Sequence, residues 1–91
     1  MVKISEEKRN TIKSNILMHL YQHFPKELFT NEISKLEARD EEFIKSLLHE
    51  LKEKNLVVSI KKNEKGNLFI RRIRWQLTPQ AYQAYYQRAS Q

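Results

Sequence analysis

Between residues 56 and 77 the chain gathers Lys61, Lys62, Lys65, Arg71, Arg72 and Arg74 against one acid, Glu64. Six cations in so short a stretch suit the neutralisation of a polyanion such as nucleic acid, although charge also serves solubility. Three arginines within four residues exceed what is needed to keep an exposed strand edge from pairing. A guanidinium fork also fits phosphates and narrow minor grooves better than an ammonium does. The rest of the chain is balanced differently: residues 1–29 carry +2, residues 30–55 carry −2 and residues 78–91 carry +1, so most of the formal +6 lies in this one stretch.

Other chemistries find less support. His19 and His23 stand one helical turn apart, a spacing that could hold a metal, but Leu20 occupies the place of a metalloprotease glutamate and no third ligand is evident. The absence of cysteine removes disulfides, thiolate chemistry and cysteine-ligated zinc. No activated serine, phosphate-cradling glycine loop or paired-carboxylate site is recognisable, so neither catalysis nor a cofactor nor a metal is expected. Ninety-one residues suit a single domain over 1–91, with its core at roughly 5–87. No apolar run approaches the roughly 20 residues that span a bilayer. Residues 1–7 lack the apolar centre of a signal peptide, so the expectation is a cytoplasmic chain with no membrane partner.

The basic stretch reads as a β-hairpin, with residues 56–60 and 68–77 as strands rich in β-branched and aromatic residues. Gly66, the chain's one glycine, sits in the loop between them, where a positive φ is wanted. With Leu56, Val58 and Ile60 facing the core beside Phe69, Ile73, Trp75 and Leu77, parity asks for a four-residue loop, 63–66 or 64–67. Arg72 and Arg74 then point away from the core, and Trp75 reads as core rather than as a base-stacking platform.

Upstream, Ser5 can cap a first helix with Glu6 and Glu7 in its opening turn and Ile12, Ile16, Leu17, Leu20 and Phe24 inward. Arg9 and Lys13 interrupt that stripe, their stems lying along the core edge with the charges in water, or the first turns projecting beyond the core. Pro25 ends the helix. Phe29 and Thr30 suit a short strand, Thr30 or Asn31 a second cap, and Ile33 and Leu36 the inward side of a short second helix. Asp40 caps a third helix whose Phe43, Ile44, Leu47, Leu48 and Leu51 make one broad apolar face. Asn55 stands where a left-handed residue often ends a helix. Thr78-Pro79 opens a last helix with Tyr82, Tyr85 and Tyr86 on one face.

The order helix, short strand, helix, turn, helix, strand, basic loop, strand, helix resembles the α+β winged-helix superfamily, in particular small bacterial and archaeal helix-turn-helix regulators. Three stretches carry the likeness: Phe29-Thr30-Asn31-Glu32-Ile33-Ser34, residues 47–57 leading into the wing, and Leu77-Thr78-Pro79-Gln80-Ala81-Tyr82 after it. Taken with their spacing and the order of elements, the resemblance covers residues 12–86. The resemblance implies that the third helix is the recognition helix and the hairpin the wing. Ser34 meets the need for a small residue in the second helix, and Asn55 replaces the usual glycine. Asp40-Glu41-Glu42 departs from the pattern: acids there suit the helix dipole but would repel phosphates.

A helical wheel turns Glu42, Lys45, Ser46, His49 and Glu53 outward from the third helix, with Lys52 on the flank. Lys45, Ser46 and His49 could touch a major groove, or the face could be an ordinary solvated one. The expected function is sequence-specific or architectural binding of double-stranded DNA by a small transcriptional regulator, led by the wing. A protein-binding winged helix using the acidic segment or the terminal aromatic helices is the rival, and RNA binding a third reading. A homodimer through the first and last helices also fits, with Tyr85 or Met18 in the contact.

Overall fold

The computed structural model describes residues 5–60 and 73–89. These form α1 (Glu6–His23), β1 (Leu28–Phe29), α2 (Thr30–Glu37), α3 (Glu41–Glu53), β2 (Val57–Ile60), β3 (Arg74–Leu77) and α4 (Pro79–Ala89). The element order expected from sequence is the one observed.

The helix ends follow local chemistry. Ser5 Oγ accepts from the Lys8 amide at 3.2 Å, and an Asp40 carboxylate oxygen from the Phe43 amide at 3.1 Å, so both expected caps are made. Thr78 Oγ1 accepts from the Ala81 amide at 3.1 Å and donates to the Asn55 carbonyl at 2.9 Å, tying the start of α4 to the end of α3. Asn55 is left-handed, with φ 60°. Ala38, after α2, is too, with φ 53°, and its turn closes through hydrogen bonds from the Ala38 amide to the Lys35 carbonyl and from the Arg39 amide to the Ser34 carbonyl.

The three strands form one antiparallel sheet in the order β1-β3-β2. Leu28 and Ser59 both pair with Trp75, and Val57 with Leu77. Because side chains alternate, Leu28, Val57, Ser59, Trp75 and Leu77 share the inner face, while Phe29, Val58, Ile60, Arg74 and Gln76 share the outer one. Below the inner face lie Ile12, Ile16, Leu17 and Leu20 of α1, Ile33 of α2, Ile44, Leu47, Leu48 and Leu51 of α3, and Ala81 of α4. Trp75 is fully buried, as its parity implied, and its indole N–H donates to Thr30 Oγ1 at 2.8 Å.

Several expectations need correction. The parity of β2 is the reverse of that read from sequence: Val57 is 1% exposed and Val58 39%. Leu56, Val57, Val58 and Ile60 are all apolar, so alternation could not choose between the faces. The choice is made upstream, where the Leu56 amide bonds back to the Leu51 carbonyl; Leu56 thus belongs to the closing turn of α3, and the strand begins at Val57. The four-residue loop inferred from the opposite parity loses its basis; the loop itself, like residues 68–72 of the expected second strand, lies outside the described residues.

The short first strand is Leu28–Phe29, and Thr30 is the first residue of α2 rather than its cap. Neither Thr30 nor Asn31 caps: the N-cap position belongs to Phe29, whose amide donates to Glu32 Oε1 at 2.9 Å. The Thr30 hydroxyl is engaged with Trp75 instead. Leu36, expected inward, is 50% exposed, because Ile33 and Ser34 already fill the contact face of this two-turn helix.

Candidate nucleic-acid interface

The outward residues of α3 stand on the side opposite Ile44, Leu47, Leu48 and Leu51. Ser46, His49 and Lys52 are exposed there and Lys45 is half-buried. They differ in freedom. Ser46 Oγ donates its proton to the Phe43 carbonyl at 2.6 Å, one turn back, which leaves the hydroxyl oxygen as an acceptor. Lys52 Nζ donates to Ser59 Oγ at 3.0 Å, so this side chain reaches from the last turn of α3 to β2. The His49 ring meets the Trp75 ring edge to face, with centroids 5.5 Å apart and planes at 86°. Two of the four expected contact residues on this helix therefore rest on the sheet that carries the hairpin.

Arg74 goes elsewhere. It lies on the outer sheet face beside Gln76 and opposite Phe29 and Ile60, and its guanidinium stands 4.0 Å from Glu27. Lys61, Lys62, Lys65, Arg71 and Arg72, the remaining expected contacts, lie outside the described residues.

Acids are distributed unevenly. Asp40 caps α3, whereas Glu41, Glu42 and Glu53 are exposed. Glu50 is drawn back to α1: Lys13 Nζ lies 2.7 Å from its carboxylate and Arg9 also pairs with it. The hydrogen bond from Lys13 holds the Glu50 carboxyl below its ordinary pKa; burial opposes this, and the charges of Lys13, Arg9 and Lys54 add to it. Arg9 also lies over the Phe43 ring, at 5.9 Å from its centroid. Neither of the arrangements expected for Arg9 and Lys13, charges in water at the core edge or first turns projecting beyond the core, is the one observed, because both cations pair with Glu50 of α3. The available signal was two cations set into the stripe of α1 and one acid beside the apolar face of α3.

The two histidines are occupied within the chain. His19 Nε2 lies 2.6 Å from Glu37, whose other oxygen accepts from Asn15 at 3.1 Å, and His23 Nδ1 is 2.8 Å from the His19 carbonyl. Among the described residues no group of three His, Cys, Asp or Glu converges as metal ligands. No described helix is long and apolar enough to cross a membrane.

Between α1 and α4, Tyr21 stacks with Tyr85 and packs against Tyr82, and Phe24 stacks on Tyr82 at 4.1 Å. Burial raises the Tyr85 pKa, with Arg88 acting against it. Beside these rings Met18 and Tyr86 are exposed.

No protein-family profile and no curated protein matches the chain. Solved structures do. A MepR–DNA complex from S. aureus superposes with a TM-score of 0.74 at 23% identity, over 92% of this chain and 66% of that one. An apo mutant of ZitR from Lactococcus lactis gives 0.70 at 20% identity, over 92% and 58%. A point mutant of MepR from a multidrug-resistant S. aureus clinical isolate gives 0.70 at 23%, over 85% and 53%. MepR and ZitR are winged helix-turn-helix regulators of the MarR family.

The chain folds as a winged helix.

At these identities the likeness is one of fold, and the chain spans between 53% and 66% of the length of these three structures. Within the winged helix, α2 and α3 are the helix-turn-helix pair, joined through left-handed Ala38, and β2 and β3 form the root of the wing. α3 and the wing root are thus joined by Lys52 on Ser59 and His49 on Trp75.

Proposed function

We propose that this winged helix binds double-stranded DNA as a small transcriptional regulator, with Lys45, Ser46, His49 and Lys52 of α3 facing the major groove and Lys61, Lys62, Lys65, Arg71 and Arg72 of the wing gripping phosphates or the minor groove. The observation that carries the reading is the Lys52–Ser59 hydrogen bond, which makes the α3 face and the root of the basic hairpin one continuous surface. The hairpin stretch holds six cations against one acid, and a polyanion is the partner that so one-sided a surface attracts. The fold likeness to MepR in its DNA complex supports the same partner. Arg74 has a smaller part than Arg71 and Arg72, because Glu27 already faces its guanidinium. The chain works as a homodimer through α1 and α4, where Met18 and Tyr86 are exposed beside the tyrosine stack.

The test is anisotropy with a labelled random-sequence duplex between about 50 and 300 mM salt. Binding should weaken with a log-log slope of about −0.9 for each phosphate neutralised. Arg71→Ala/Arg72→Ala should cost more affinity than Lys45→Ala/His49→Ala if the wing leads. An equal or larger loss from the α3 pair refutes wing dominance. No duplex binding at the lowest salt refutes the reading and favours a protein partner for the exposed Glu41 and Glu42. Tighter binding to structured RNA than to duplex DNA would likewise overturn it.

A further inference from the structure

On the exposed face of α3 most polar groups are either committed or mobile. The Ser46 proton goes to the Phe43 carbonyl and the Lys52 ammonium to Ser59. Lys45 is a point charge on a flexible stem, well matched to a phosphate and poorly matched to a base edge. Glu42 and Glu53 are anionic, able only to accept. His49 alone is both exposed and held by a rigid neighbour, the buried Trp75. Trp75 is itself fixed from the other side, because its indole N–H donates to Thr30 Oγ1 at the start of α2. Thr30 is in turn joined to the strand by its amide, which donates to the Ile73 carbonyl at 3.3 Å.

We infer that Trp75, locked by Thr30, is a positioning residue that orients the His49 imidazole, so that His49 donates a ring N–H to a purine N7 and sets sequence preference at one base pair. A neutral imidazole carries one donor and one acceptor at fixed directions, and a ring that is already oriented loses little rotamer freedom on binding. Guanine and adenine both present N7 as an acceptor in the major groove. Lys45 then supplies affinity without discrimination. This inference rests on the DNA-binding reading above and assigns the source of its specificity.

Two measurements test it. In the free protein, the His49 ring protons should be displaced from ordinary histidine positions by the indole ring current, and Thr30→Val should diminish that displacement while leaving the fold intact by circular dichroism. Ring-proton shifts at ordinary histidine values overturn the positioning role whether or not DNA is bound. The second measurement selects a preferred duplex from a random pool, replaces its purines singly by 7-deazapurines and measures affinity. At one position the wild type should lose roughly 5- to 100-fold. His49→Ala should show the same loss on the unmodified duplex and no further loss on the modified one. Thr30→Val should reduce discrimination at that position, and Trp75→Phe, which lacks the N–H that reaches Thr30, should reduce it as well. Additive losses in His49→Ala, or an unchanged preference in Thr30→Val, overturn the inference while duplex binding stands. Failure of the wild type to bind any duplex overturns both.

Discussion

Replacing Glu50 by glutamine isolates the charge that joins α1 to α3. The carboxylate receives two cations, and the partners differ in burial: the Lys13 side chain is 9% exposed, that of Glu50 37%. An exposed ion pair contributes about 0–1 kcal/mol. Removing one partner of a fully buried pair costs about 3–5 kcal/mol, because the other charge is left without compensation. Glu50 is open enough for solvent to screen much of its interaction, yet Lys13 is nearly enclosed. Glu50→Gln keeps the size and an acceptor oxygen but leaves the ammonium without a counter-charge, so a loss of about 1–2 kcal/mol is expected.

Urea unfolding followed by far-ultraviolet circular dichroism reads this as a lower midpoint at unchanged slope. The pH dependence gives a second check. Because the folded-state pKa of Glu50 is depressed, its stabilisation is present above the unfolded carboxylate pKa and is lost as pH falls through the folded value. The gap between wild type and Glu50→Gln should therefore be full near neutral pH and close in acid. Adding Lys13→Met should restore much of the stability by removing the stranded charge. A gap below about 0.3 kcal/mol at neutral pH, or one that persists in strong acid, would refute the argument.

Two further outcomes follow from backbone and surface charge. Ala38 is held at φ 53°, a conformation that costs an L-residue about 1–2 kcal/mol. Ala38→Gly should relieve this, partly offset by unfolded-state entropy, and raise stability by about 0.5–1 kcal/mol in the same urea experiment; a loss of stability would sink it. Glu41→Gln/Glu42→Gln removes two exposed anions from the positive end of α3. Helix stability should fall by about 0.3–1 kcal/mol per charge, while duplex affinity at low salt should rise on the order of a few-fold and the gain should vanish as salt is added. Unchanged affinity at low salt would place that end of α3 away from DNA.

Much of the fold was legible because it depends on local chemistry. Ser5, Asp40 and Thr78-Pro79 mark helix starts by hydrogen bonds to their own first turns, and the five apolar residues of α3 face inward at helical period, four of them fully and Phe43 at the edge. What escaped depends on partners distant in sequence. Thr30 has the side chain of a cap, but its hydroxyl is taken by Trp75. Val57 and Val58 are identical in type, and only the turn closing α3 decides which faces in. For the candidate interface, a helical wheel found the exposed side of α3 but not which members of it are held: the Trp75 ring under His49 and Ser59 beside Lys52 come from another element. The wheel also gave no role to Glu50, since its cations come from α1.

That pairing also sets where negative charge lies along α3. Glu50 follows His49 in the chain and would add a fourth exposed acid to this helix if its carboxylate turned outward. Held by Lys13 and Arg9, it is neutralised at the α1 contact. The exposed acids are then confined to the two ends of α3, Glu41 and Glu42 at the first turn and Glu53 at the last, with Lys45, Ser46, His49 and Lys52 between them. At the first turn the positive end of the helix dipole partly offsets the acids. The middle of α3 and the wing root therefore form the part of this surface on which phosphates are opposed least, and the contact that stabilises α1 against α3 also keeps that surface free of a further negative charge.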